Sequence, residues 1–164
     1  MNVSEVLQNG NLLVIRALDG LPENEWDIPG ACGDWSVKDI VAHLASNEHI
    51  IVDVLNTFQG SELPSSVERW MNARSAFNAS EVEERKYAMA QHVMDEYQNT
   101  QVEAASLIMQ LPPEKVQQAG TMPWYGTQYS LADFISEMYQ HIYEHCAQIT
   151  AFHNRVKAEM ERDS

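Results

Sequence analysis

Basic side chains are scarce in this sequence. Ten lysines and arginines stand against 24 aspartates and glutamates in 164 residues, a formal charge of −14. Phosphate recognition rests on clustered Lys and Arg, and here they are scattered, so nucleic acid is excluded as a partner. An anionic membrane surface is disfavoured for the same reason. Cysteine is scarcer still: Cys32 and Cys146 lie in different segments. Two reduced thiols are expected, and no zinc-type cysteine spacing exists. Any metal site must therefore be built from histidines and carboxylates. No apolar run approaches the ~20 residues of a membrane span. The opening residues MNVSEVLQNG lack a basic n-region and an apolar h-region, so the expectation is no signal peptide and a cytoplasmic protein. The hydrophobic share of 45% and charged share of 21% are ordinary for a globular chain. The length suits one domain over residues 1–164.

What is present is helical periodicity. Val6, Leu7, Leu13, Val14, Ala17 and Leu18 mark an amphipathic helix over residues 4–19, with Ser4 as its N-cap. Gly20, Pro22, Pro29, Gly30 and Gly33 make residues 20–34 a loop, flanked by Trp26 and Trp35. Ser36 and Asp39 form a capping box that opens a second helix, ending near Phe58 before Gly60 and Pro64. A similar pattern, Ser65 with Glu68, predicts a short helix reaching Ala73. Ser80 with Glu83 predicts a third long helix to about Gln110, striped by Ala90, Val93, Tyr97, Ala104 and Ile108. After an aromatic-rich loop over residues 120–129, Ser130 with Asp133 predicts a fourth long helix to about Glu159. The pattern describes an all-α four-helix bundle with one short extra helix.

Six histidines are distributed over these helices. His141 and His145 stand four residues apart, on one face with Cβ atoms about 6 Å apart. Glu137 continues their row one turn earlier. Helix phase puts His43 at the edge of the apolar arc of the second helix, with Asn47 one turn on. It turns His49 and His92 outward, and leaves His153 roughly 12 Å along the axis from His145. A lone inward histidine is usually a satisfied core-edge residue, but an i, i+4 pair with a third ring offered by another helix favours a three-histidine metal site. Three ligands with an open fourth position suit catalysis rather than structure. His141 to His145 also match the H-x-x-E-H peptidase pattern. Such a peptidase needs a distant downstream glutamate, and only 19 residues follow His145. Glu144, beside the row, is a candidate general base, although a solvated surface glutamate is the commoner fate. Asn47 and Glu48 are candidates to support the metal or touch substrate. Glu48 falls mid-stripe, where an unpaired carboxylate is costly, and a salt bridge to another helix is the equal alternative.

The segments GDWSVKDIVAHLASNEH (33–49) and YSLADFISEMYQHIYEHCAQI (129–149) resemble the two signatures of the DinB-like superfamily. That group includes maleylpyruvate isomerase N-terminal domains and bacillithiol transferases. The likeness spans essentially the whole chain. It implies a four-helix bundle of unusual connectivity with a divalent metal, zinc or nickel, on His43, His141 and His145. It implies transfer or isomerisation chemistry on a small electrophile, with a low-molecular-weight thiol as co-substrate, and pairing into homodimers, for which Met89 and Leu107 offer an apolar row. Some members carry a glutamate at the position of His141, so this triad is fully histidine.

Three functions follow from these residues. The first is a metal-dependent thiol transferase or isomerase with a small-molecule substrate, its mouth lined by Trp124 and Tyr125. The second is a metal-dependent hydrolase using water. The third is a non-catalytic helical stress or binding protein.

Overall fold

The computed structural model describes residues 2–164. Seven α-helices follow in order: α1 (Val3–Leu18), α2 (Val37–Thr57), α3 (Ser65–Asn72), α4 (Arg74–Glu84), α5 (Ala90–Met109), α6 (Pro113–Gln117) and α7 (Leu131–Arg162). A 3-10 turn at Glu23–Glu25 sits in the first loop. No strand forms among the described residues beyond an isolated bridge between Cys32 and Trp35.

The two strongest start signals act as expected. Ser36 and Asp39 close a reciprocal capping box on α2, and Ser130 and Asp133 do the same on α7. The other start signals fail. Asn2, not Ser4, accepts the first-turn amides of α1. Pro64 precedes α3 with no side-chain cap, so Ser65 lies inside the helix. Ser80 lies in the interior of α4, and the expected long third helix is divided into α4 and α5 at residues 85–89. No proline or glycine occupies that break. Lys38 of α2 holds it instead, donating from Nζ to the carbonyls of Lys86 (2.9 Å) and Ala88 (3.0 Å). There are thus three short helices beside the four long ones, not one.

Each long helix has two long neighbours: α1 lies against α7 and α5, and α2 lies against α5 and α7. Cross-helix contacts set the directions. Tyr97 donates to Asn11 (3.2 Å) and Gln101 to the Leu7 carbonyl (3.3 Å), which makes α1 and α5 antiparallel. Glu48 meets Tyr139 and His43 meets His145, which makes α2 and α7 antiparallel. Lys38 near Ala88 and His49 near Glu96 make α2 and α5 parallel. Two consecutive long helices therefore run the same way, and α3 and α4 carry the chain back between them. The core is filled by Leu7, Ile40, Leu44, Ile51, Leu55, Tyr97, Phe134, Tyr139 and Ile149 among others. Each large apolar side chain so buried contributes roughly 1.5–3 kcal/mol.

Gly10 is the one glycine inside a long helix. A Cβ there would stand 2.5 Å from the Tyr139 ring, so its absence is what lets α7 lay that ring on α1. None of the described helices is long and apolar enough to cross a membrane.

Candidate functional site

The antiparallel pairing of α2 and α7 brings His43 against His145. Their rings meet edge to face, with centroids 5.0 Å apart. Trp35, at the end of the first loop, also packs its indole against His43, with centroids 5.3 Å apart. The turn bridging Cys32 and Trp35 aims that ring: the amides of Gly30, Ala31 and Cys32 converge on the Trp35 carbonyl. His43 is buried, and Asn47 places its Nδ2 3.4 Å from His43 Nε2. Nδ1 of the same ring is buried with no partner. Burial first, and then the neighbouring His145 and His141, push His43 down to about 3. It is a neutral imidazole at neutral pH. Asn47 Nδ2 can only donate, so Nε2 carries the accepting lone pair, met by a long 3.4 Å contact, and the unpartnered Nδ1 carries the proton.

His145 is half-buried, and its Nδ1 lies 2.8 Å from Oε1 of Gln148, one turn on. That bond fixes Nδ1 as the protonated nitrogen and leaves Nε2 as the acceptor. Burial holds His145 below its ordinary value, against the opposing bond from Gln148. His141 is the most open of the three, with its side chain 44% exposed and Nδ1 3.6 Å from Glu144. Glu144 itself stands largely in water. As the side chains stand, no group of three or more His, Cys, Asp or Glu side chains among the described residues is arranged to hold a metal ion. The donor chemistry suits one nonetheless: a buried neutral imidazole whose accepting nitrogen is only loosely held, a second aimed by Gln148, and a third on an exposed side chain free to rotate.

Glu48 is placed apart from this cluster. It is fully buried, and no lysine or arginine answers it. The Tyr139 hydroxyl donates to its Oε1 at 2.7 Å, and Oε2 has no partner. Burial pushes its carboxyl up to about 7, against the lowering effect of the Tyr139 bond. The remaining histidines are accounted for by carboxylates or solvent. His49 pairs with Glu96 at 2.8 Å, His153 pairs with buried Glu25 at 2.9 Å, and His92 is exposed. Cys146, beside His145, is a buried thiol pushed up to about 11, so it stays protonated.

The loop aromatics form a cluster at the other end of the row. Tyr125 packs against Trp124, Tyr129 and Phe134 and bonds to Glu137. Several contributors were not foreseen: Tyr139, Gln148, the Trp35 indole and Arg74, which reaches Glu137 from α4. Only Gln148 carried a local signal, its i+3 spacing from a histidine.

A family model described as the DinB superfamily matches residues 13–149, which includes α2, α7 as far as Ile149 and all three clustered histidines. Comparisons with curated proteins and with solved structures returned no match. The extent of that match, over an all-helical bundle with His43 facing the helix of His141 and His145, makes the chain a member of the DinB superfamily.

Proposed function

We propose that the protein is a divalent-metal-dependent enzyme in which His43, His141 and His145 hold zinc or nickel and a low-molecular-weight thiol attacks a small electrophile. The observation that carries this reading is the His43 ring. It is buried, neutral and edge-on to His145, with one nitrogen unpartnered. The lone pair on its Nε2 meets only the Asn47 amide at 3.4 Å, a contact long enough for a metal to displace. When bound, the metal supplies the Lewis acidity that keeps a thiol as thiolate at neutral pH.

The chain's own residues supply the rest. Gln148 fixes the ring of His145, so that it need not be reoriented during turnover, and Asn47 stands beside the accepting nitrogen of His43. Trp35 covers His43 and keeps water from its buried side. Glu144, in solvent beside His141, can take the thiol proton and pass it to bulk water. The sulfur then forms a bond to the electrophilic carbon, and the leaving group departs with the electron pair. Cys146 is held protonated by burial, which argues against it as the nucleophile. A homodimer of the bundle completes the reading.

Metal analysis of tag-free protein tests this directly. The expected result is one nickel or zinc per chain, with His43→Ala losing more than the roughly 10–100-fold in affinity that a lost supporting contact costs. Substoichiometric metal, unchanged in His43→Ala, would remove the reading in favour of a non-catalytic bundle. Turnover of an electrophile with and without added thiol separates transfer from hydrolysis.

A further inference from the structure

Arg74 is the first residue of α4, yet its side chain leaves that helix and reaches across to α7. Its guanidinium stacks on the buried Trp70 ring at 4.0 Å. Nη1 donates to Glu137 Oε1 at 3.2 Å. That is a single bond, not the fork a carboxylate can accept, and the side chain is 40% exposed. The Nε and Nη2 donors are thus left for another acceptor. Glu137 stands one turn before His141 on the same face of α7, about 6 Å away between Cβ atoms. Glu137 also lines a cleft of about 600 Å³ with Tyr125, Tyr129, Gln140 and the Asp133 carboxylate, and Arg74 meets Glu137 from outside that lining.

A planar cation held flat on an aromatic ring, one side chain removed from the histidine row, suits recognition of a carboxylate. In a chain of net charge −14, an anionic ligand has little long-range attraction to draw on and needs such a local donor. We propose that Arg74 binds a carboxylate group of the small molecule that reacts at the histidine cluster, using its free guanidinium edge with Glu137 as the resident competitor. The molecule would span on the order of 6–10 Å, the reach of one to two helical turns. This inference rests on the reading that reaction occurs at His43, His141 and His145.

The test uses 5-mercaptopentanoate and its neutral isostere 5-mercaptopentanamide, which are long enough for that span, as probes on nickel-loaded protein, by calorimetric titration. The expected result is a preference of about tenfold for the carboxylate, as a charge-assisted forked bond supplies. Arg74→Gln should abolish the preference and leave amide binding unchanged. Glu137→Gln should keep or increase the preference, because it frees the guanidinium. If Arg74 merely anchors Glu137, the two variants will lose binding alike, which overturns the proposal. Equal binding of the two probes to the wild type overturns it as well. Should the chain bind no nickel, the site reading fails separately. Arg74 is then judged on metal-free protein titrated with succinate. A shift of the Arg74 Nε–Hε resonance with succinate that neutral succinamide does not produce upholds carboxylate binding, and its absence sinks it.

Discussion

The two flanks of α2 are built on opposite terms. On the flank facing α4 and α5, charges are answered. Arg85 donates through Nε and Nη2 to Glu96 and through Nη1 to Glu81, and Glu96 also meets His49. The Arg85 bonds hold the Glu96 carboxyl below its usual range. On the flank facing α7, polar groups are buried and left short. Of three buried side-chain atoms without a partner among the described residues, two are His43 Nδ1 and Glu48 Oε2. His43 and His49 lie six residues apart on one helix, and only the exposed one has a carboxylate. The third unpartnered atom, the neutral Asn78 Oδ1, lies on α4. What separates the seams is that the charged groups along one are paired, while a titratable ring and a carboxylate go short along the other. That keeps the second seam for something besides stability.

The comparison breaks most visibly if the paired flank is cut. Arg85→Ala should destabilise the protein by about 2–3 kcal/mol. A broken buried pair costs 3–5 kcal/mol, and partial exposure of Glu96 reduces that figure. Urea unfolding at pH 7 measures it. Loss of only a few tenths would mean that the network is solvated decoration and that the two flanks do not differ in kind.

How much of this was legible follows the range of each interaction. The Ser36 and Ser130 boxes close within three residues, and both were readable. The Ser80 pattern was not a start at all, because S-x-x-E spacing also arises inside helices. What divides α4 from α5 is Lys38, some 50 residues earlier, which no local window contains. His43 and His145 were brought together by helix phase alone, since two inward histidines on antiparallel neighbours have few other places to go. Glu48 was conspicuous, but its partner was hidden, because Tyr139 reads as one more apolar residue on the α7 stripe. The phase argument could not place the ring of His141, which stands half in water on a rotatable side chain.

A smaller effect, opposite in sign, should appear on the other flank. Glu48 ionises near 4.5 when exposed and near 7 in the fold. The folded chain holds this proton more tightly, so the contribution is fully present below pH 4.5 and is lost as pH rises through 7. Glu48→Gln removes the burden of an ionised buried carboxylate while keeping an acceptor for Tyr139. At pH 8 the variant should be the more stable, by on the order of 2 kcal/mol, and near pH 4.5 the two proteins should match. The depressed His43 works the other way, destabilising metal-free protein as pH falls from 6.5 toward 3. It does so equally in both proteins and cancels from the difference. A pH-independent difference between variant and wild type would show that Glu48 is not held protonated.

The mildest cut reaches the same seam from behind. Gly10 costs helix α1 roughly 1 kcal/mol relative to alanine by propensity alone, so its presence requires a packing reason. That reason is the Tyr139 ring, which a Cβ would meet at 2.5 Å and 2.7 Å. A ring cannot yield as a flexible chain end does, and forcing one methyl group against it costs typically 1–3 kcal/mol. Gly10→Ala should therefore destabilise by about 1 kcal/mol net, despite improving the helix. Its informative signature is chemical: displacing Tyr139 loosens the hydroxyl bond to Glu48 Oε1, the one bond that favours the ionised form. The Glu48 carboxyl should then titrate higher than in the wild type, as read from its carbon-13 shift against pH. An unmoved titration with the full stability loss would mean that the ring slides along α1 without letting go of the carboxylate.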